Sequence, residues 1–339
     1  MSFLTAKVYS LTSPRELVLK EETVDITNLD PYEIIAETVF SATSPGTELA
    51  AYSGISPLRP GNPYPRVVGY CNVSKVILLG NGIVGLKQDD FILTFQSHRS
   101  LFKLTKEDFY IKVPKNVLTG YYSTSYLYHL GYHSLLTADA RQGHNIGVIG
   151  GGVLGYTTCI MSKMAGALTF LFSNQQEACQ LLSAKNVHCL SKNENILDQV
   201  DALTFKTGLD IVINTSNSWS DWLFALKAVR KGGIIVNMGF PGRGEANPDF
   251  NPLDPQYVYM KNLTIKSLCT INERDVPAYD IRFNMKRNLE YIINLITSEQ
   301  INPIDLITSE IQYGELGVQY DQYIKRDKFM LSTLINWKN

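Results

Sequence analysis

Gly150, Gly152 and Gly155 stand in the pattern Gly-x-Gly-x-x-Gly, between the apolar run Asn145–Ile149 and a stretch with helical spacing. Each position has a use in holding a dinucleotide. The first glycine permits a tight turn, and the second lets the backbone, with Val153 and Leu154, close on a pyrophosphate. The third lets helix and strand pack closely. Free N–H groups and the positive end of the helix dipole then face the anion. A glycine-rich turn in another kind of α/β protein is the alternative, but two further strand–helix units follow. The expectation is a bound nicotinamide dinucleotide.

The next strand, Leu168–Phe172, ends at Ser173 and Asn174. An acid at this place holds the ribose 2′-hydroxyl of NAD. Here no acid repels a 2′-phosphate and no arginine stands beside it to grip one. Ser173 and Asn174 either hydrogen-bond the ribose or cap the next helix. The missing acid tilts the expectation to NADP(H) over NAD(H). Asn214, Thr215, Gly239 and Phe240 lie at later strand ends, where open α/β sheets bind ligands, and are expected at the nicotinamide half.

These residues need a sheet to position them, and the chain supplies one. Its 339 residues suggest two domains. Up to about residue 120, turn formers (Pro45-Gly46, Arg59-Pro60-Gly61, Gly80-Asn81-Gly82, Val113-Pro114) separate β-rich runs at Ile34–Phe40, Val73–Leu79 and Asp90–Phe95. That density of breakers predicts an irregular β domain with little room for long helices. Helical spacing then runs from Tyr126 to Asp139. Beyond it, strands (Asn145–Ile149, Leu168–Phe172, Asp210–Asn214, Gly233–Met238) alternate with helices (Gly152–Ala165, Gln175–Ala184, Ser220–Arg230). This rhythm predicts a parallel sheet covered on both faces. The tail adds a helical segment, Arg282–Ile296, and a strand-like run, Lys328–Ile335.

Bulk properties narrow the partners. Net charge is −1, with 31 Lys and Arg scattered along the chain, which argues against nucleic acid. No apolar run approaches the ~18–20 residues of a membrane span. The start MSFLTAKVYS lacks a signal-peptide pattern. Five cysteines (Cys71, Cys159, Cys179, Cys189, Cys269) form no CxxC pair. That count argues against a disulfide framework or a structural zinc and for a reducing compartment, so the cytoplasm is expected.

Over nearly its whole length the chain resembles the medium-chain dehydrogenase/reductase superfamily. SATSPGTELAAYSG (41–54) is similar to the first substrate-site loop, and 64–90 to the strand pair after it. Residues 208–240 and 251–268 are similar to the later cofactor domain. The resemblance implies a GroES-like irregular β catalytic domain (1–123, completed by 270–339) and a Rossmann doubly wound parallel-sheet domain (124–269). It also implies a homodimer paired through an edge strand at Tyr257–Cys269.

Departures from the family pattern point to chemistry without metal. The zinc-binding cysteine position is Pro45, the histidine position is Tyr70, and the third ligand falls near Ser125. The four-cysteine structural lobe is absent. Zinc requires three protein ligands of N, S or carboxylate type, so no metal is expected; Cys71 beside Glu48 reads as buried core. Tyr70 is then expected as proton donor, or as a plug in the vacated ligand position. Thr47 matches the family's proton-relay hydroxyl, or caps a turn. Glu48 matches its outer carboxylate, here orienting a donor or acting as base. His129 falls beside the nicotinamide position, where an imidazole polarises a carbonyl or shuttles protons; His98 and His133 read as structural.

The SPGTE form resembles threonine-dehydrogenase-like and bacteriochlorophyllide-dehydrogenase-like sequences. It implies a small-molecule substrate: a secondary alcohol or ketone on a sugar-, polyol- or ring-like metabolite. Tyr52, Tyr64, Tyr121, Tyr122 and Tyr126 are expected near the cleft. Two alternatives remain: an enoyl or quinone reductase acting on an activated C=C, and a dinucleotide-binding sensor or scaffold without turnover.

Overall fold

Two antiparallel strands, β1 (Phe3–Ser13) and β2 (Glu16–Asp25), open the chain. Ala6, Val8 and Leu11 of β1 are buried, whereas β2 lies mostly exposed. The computed structural model describes residues 2–268, 276–277, 279 and 281–338. They divide into two compact units, Met1–Tyr126 with Ile271–Asn339, and Leu127–Thr270. The expected boundary at 269/270, like Cys269, lies outside the described residues.

The first unit continues through β3 (Ile34–Ala42), helix α1 (Pro45–Ser53), β4 (Arg66–Val67) and β5 (Asn72–Leu79). Next come β6 (Phe91–Thr94), β7 (Leu101–Leu104) and β8 (Tyr110–Val113). α1 corrects the reading of 41–54 as a loop. Pro45 stands at the start of a helix, where its missing N–H costs nothing, and Gly54 ends it at φ 69°. Pro45-Gly46, read as a turn, therefore opens the helix. The unit boundary falls within α2 (Ser125–Thr137).

The second unit runs β9 (Asn145–Ile149), α3 (Val153–Met164), β10 (Leu168–Phe172), α4 (Gln176–Ser183), β11 (His188–Leu190) and α5 (Ile196–Leu203). It continues with β12 (Leu209–Asn214), α6 (Trp219–Ala228), β13 (Val229–Asn237) and β14 (Thr264–Ser267). All pairings in its sheet are parallel, in the order β11-β10-β9-β12-β13-β14. Val148, Phe170, Phe172, Val212 and Ile213 are fully buried, as expected where helices cover both faces. Strand order reverses between β9 and β12, the switch point at which doubly wound sheets bind ligands. The expected edge strand Tyr257–Cys269 shrinks to Thr264–Ser267, because 257–262 is a run of turns.

The tail returns to the first unit as α7 (Met285–Thr297), β15 (Ile307–Gln312), α8 (Leu316–Lys325) and β16 (Ser332–Asn336). β16 pairs antiparallel with β3, and β15 lies parallel to β16. One sheet therefore joins strands from both ends of the chain. Among the described residues, no helix is long and apolar enough to cross a membrane.

Candidate functional site

In the first unit the candidate residues gather at the head of α1. Tyr70, 6% exposed, donates its hydroxyl to Oγ of Ser44, the residue preceding α1, at 2.5 Å. The Arg59 guanidinium lies 3.9 Å from the centre of the Tyr70 ring, and Tyr126 meets that ring edge-on at 5.5 Å. Burial pushes the phenol pKa well above its ordinary value, and neighbouring Cys71 adds to the rise. Arg59 and the Ser44 and Thr47 hydroxyls pull the other way without cancelling it. Tyr70 is therefore an O–H donor at neutral pH. Thr47, at its side, is partly exposed.

Glu48 faces elsewhere. Its Oε1 accepts the Ser44 N–H at 2.8 Å, and its Oε2 accepts the Tyr320 hydroxyl at 2.7 Å. His98 Nε2 stands 3.2 Å from the same Oε2. The other His98 nitrogen meets Ser41 Oγ at 2.9 Å, where the Trp337 indole also donates. Burial raises the Glu48 pKa, but His98, Tyr320 and the Ser44 N–H outweigh it and hold the group below the usual carboxylate range. Glu48 is thus a buried, satisfied anion. Both oxygens are hydrogen-bonded by the protein, and the carboxylate connects to Tyr70 through Ser44. Gly69 makes room for the pair. It takes φ +84°, and a Cβ there would stand 2.5 Å from the His98 ring.

The donor set at the family's metal positions does not fit zinc. Pro45 offers no donor atom, Tyr70 carries its proton, and Ser125 presents a hydroxyl rather than N, S or carboxylate. The buried Cys71 thiol is pushed far above its ordinary pKa by burial and then by the Glu48 charge. Among the described residues, no group of three or more His, Cys, Asp or Glu could hold a metal ion.

Of the five tyrosines expected around a cleft, only Tyr126 meets Tyr70. Tyr52 donates to Asp321, Tyr64 to the Ala51 carbonyl and Tyr121 to Glu310. Tyr122 is fully buried, with Asn116 donating to its oxygen. Each of these four hydroxyls is engaged with another part of the first unit.

In the second unit the glycine turn is closed by contact. Gly150 takes φ +104°, and a Cβ on Gly155 would stand 1.8 Å from the Gly150 carbonyl oxygen. Gly152 leads into α3, is exposed, and has open space where a Cβ would be. Val153 and Leu154 follow, partly exposed, with first-turn N–H groups that have no acceptor inside the helix. Thr215 pins the turn by donating to the Ile149 carbonyl at 2.7 Å. This cradle, open at Gly152 and closed at Gly155, fits a pyrophosphate.

The remaining cofactor candidates divide. Ser173 accepts the Gln175 N–H, and Asn174 accepts the Lys192 N–H, so both hold the local turn. Lys192 itself pairs with Asp221 at 2.7 Å. Asn214 is fully buried. Its side chain donates to the Ser216 carbonyl and to Asn237, and accepts the Ser216 N–H, so it holds the loop after β12. Gly239 lies against the Ser216 carbonyl, with 2.1 Å left for a Cβ. Phe240 is half-exposed, with the Arg243 guanidinium 3.7 Å from its ring centre. His129 is buried, its ring parallel to that of His133 one helical turn on, at 5.7 Å. Burial, and then the His133 charge, pull its pKa down to about 3, so it is neutral at physiological pH.

Sequence reasoning missed Ser44 and Arg59 as companions of Tyr70, and took His98 as structural without naming its partner. Ser44 lies 26 positions from Tyr70 and His98 50 from Glu48, separations that leave no local pattern.

Residues 153–284 match the family model described as zinc-binding dehydrogenase, a span that excludes positions 45, 70 and 125. The NADP-dependent isopropanol dehydrogenase of Clostridium beijerinckii is 32% identical over 120 residues, 34% of this chain and 34% of that protein. The chain thus spans about a third of that relative's length. The structure of 2R,3R-butanediol dehydrogenase from Bacillus subtilis superposes with a TM-score of 0.79 at 13% identity, covering 98% of this chain and 100% of the other. L-idonate 5-dehydrogenase from Escherichia coli str. K-12 substr. MG1655 gives a TM-score of 0.79 at 13% identity, covering 99% of each.

Proposed function

We propose that the chain is an oxidoreductase of the medium-chain dehydrogenase/reductase type that interconverts a secondary alcohol and a ketone with NADP(H) and without zinc; the match of residues 153–284 to the zinc-binding dehydrogenase model supports this reading. The observation that carries this reading is the Tyr70 phenol, protonated and held at the head of α1 where the family's metal ligand would stand. The isopropanol and butanediol dehydrogenases act on the alcohols in their names, which supports this class of substrate.

NADP(H), when bound, supplies the hydride chemistry. The residues of this chain handle the oxygen and its proton. In the direction of reduction, the Thr47 and Tyr70 hydroxyls are placed to hydrogen-bond the substrate oxygen as it gains charge. The phenol turns its O–H from Ser44 Oγ to the substrate oxygen and gives up that proton; the Ser44 hydroxyl then donates to the phenolate and holds it until solvent returns a proton. Oxidation retraces the same atoms. Glu48, His98 and Tyr320 fix the start of α1 and hence Ser44 and Thr47.

The test is reduction of a ketone panel, followed as NADPH consumption, by protein stripped with chelator and assayed with and without added zinc. Turnover equal in both arms supports the reading. Activity that appears only with zinc overturns its metal-free part. Consumption of conjugated enones alone points to the enoyl reductase alternative, and tight NADPH binding with no turnover at all points to a sensor.

A further inference from the structure

Arg59 is exposed in the segment between α1 and β4, yet its guanidinium carbon lies 3.9 Å from the centre of a buried ring, that of Tyr70. Two other arginines are held by acids, Arg99 by Glu22 at 3.8 Å and Arg230 by Asp210 at 2.7 Å; Arg243, like Arg59, lies over a ring. Among the described residues, Arg59 has no ion pair. A guanidinium held by an aromatic face keeps its N–H donors for other partners.

A second arginine stands beside it. Arg66 donates Nη2 to the Arg59 carbonyl at 3.4 Å. Its Nη1 is buried and has no hydrogen-bond partner among the described residues. Buried donors are almost always satisfied, so this one marks a missing acceptor. Two cations on neighbouring backbone, with no carboxylate among the described residues bonded to either, form an arrangement that an oxyanion would complete. The planar fork of arginine suits a carboxylate or a phosphate ester, which it binds through two parallel hydrogen bonds.

We propose that the substrate carries such an anionic group and that Arg59, with Arg66 beside it, binds it. The proposal rests on the alcohol–ketone reading given above and narrows the substrate to a hydroxy acid or a phosphorylated polyol. Arg59 touches the ring of Tyr70, so the group that recognises the anion and the group that handles the proton are neighbours. The anion fixes the substrate; the phenol exchanges its proton with the oxygen on the reacting carbon.

The experiment titrates the NADPH-loaded protein calorimetrically, at low salt, with D-gluconate, sorbitol 6-phosphate and sorbitol. At least one acid is expected to bind tenfold or more tightly than sorbitol, and which one names the group as carboxylate or phosphate. Arg59→Gln should remove that preference while leaving NADPH affinity in place, and Arg59→Lys should keep part of it. Raising the salt should shrink it, as screening requires. The proposal is overturned if neither acid outbinds sorbitol, if the preference survives Arg59→Gln, or if that variant weakens NADPH instead. Should an acid bind through Arg59 and still not be oxidised by NADP, the anion site stands and the oxidoreductase reading fails.

Discussion

The Tyr320 hydroxyl donates to the buried Glu48 carboxylate at 2.7 Å, across 272 residues of sequence. α8 thus reaches back to the first turn of α1, and the anion at the centre of the first unit is satisfied from the far end of the chain. Tyr320→Phe removes one donor from a buried charge, a loss of about 1–3 kcal/mol. Thermal unfolding should show the fall, and Glu48→Gln should make Tyr320→Phe nearly neutral in the double variant. Because the Glu48 pKa is lowered on folding, its contribution is complete above the ordinary glutamate value of 4.5 and is lost as pH falls through the folded pKa.

His129 gives a second pH signature, at higher pH. Its folded pKa of about 3 lies below the ordinary 6.5, so the unfolded chain binds a proton that the folded one refuses. Stability should therefore fall as pH drops from 6.5 towards 3, with a slope of about 1.4 kcal/mol per pH unit. Denaturant titrations at pH 7, 6 and 5 measure it. His129→Phe should flatten that slope, and an unchanged slope would show that the imidazole is protonated in the fold.

Tyr70→Phe keeps the ring under Arg59 and removes only the hydroxyl. Loss of a proton donor lowers kcat by roughly 10²–10⁴-fold, with NADPH affinity intact. The phenol pKa is raised, so the acid form persists throughout the neutral range. The rate of ketone reduction should then be flat from about pH 6 to 9. A fall in rate with a midpoint near pH 7 would assign the proton to another group.

Gly155→Ala puts a methyl group against the Gly150 carbonyl, with only 1.8 Å available. Strain of ~1–3 kcal/mol at such a turn corresponds to roughly a ten- to hundredfold loss of NADPH affinity. Fluorescence titration reads it. Gly69→Ala is the control in the other unit: it should displace His98 and lower the melting temperature, with cofactor affinity retained.

β14 is a sheet edge, and Leu253, Tyr259 and Met260 of the preceding segment are exposed. An uncovered edge of this kind pairs readily, and a homodimer is expected there. Light scattering at micromolar concentration should give twice the chain mass. Lys266→Pro, which breaks the edge, should give a monomer; a monomeric parent protein would remove the dimer from the account.

The cofactor unit was largely legible in the sequence. Asn145–Ile149 and Leu168–Phe172 match β9 and β10 residue for residue, because a parallel strand buried on both faces is an unbroken apolar run. The first unit was harder to read. Pro45 and Gly54 carried the signals of a helix start and stop, but a nine-residue helix among strands has too few turns to show its period. Glu48 stood out in the sequence, but its partners His98 and Tyr320 did not, since they come from distant elements. Tyr70 stood out through family resemblance. Its companions Ser44 and Arg59 did not, since neither spacing nor residue type sets them apart from a turn serine and a surface arginine.

The pairing of β16 with β3 bears on how the molecule comes into being. The sheet that holds the candidate proton donor is closed by a strand made some 290 residues after its partner, as the Thr333–Thr43 bond records. During synthesis the second unit, continuous in sequence, has all its strands in hand while the first still lacks β15 and β16. Domains fold as units as the chain emerges, and distant contacts form slowly. The glycine cradle should thus be able to bind a dinucleotide on the ribosome, before His98, Glu48 and Tyr320 have met. A nascent chain arrested after β14 should retain NADPH, and one released only after β16 should also gain turnover.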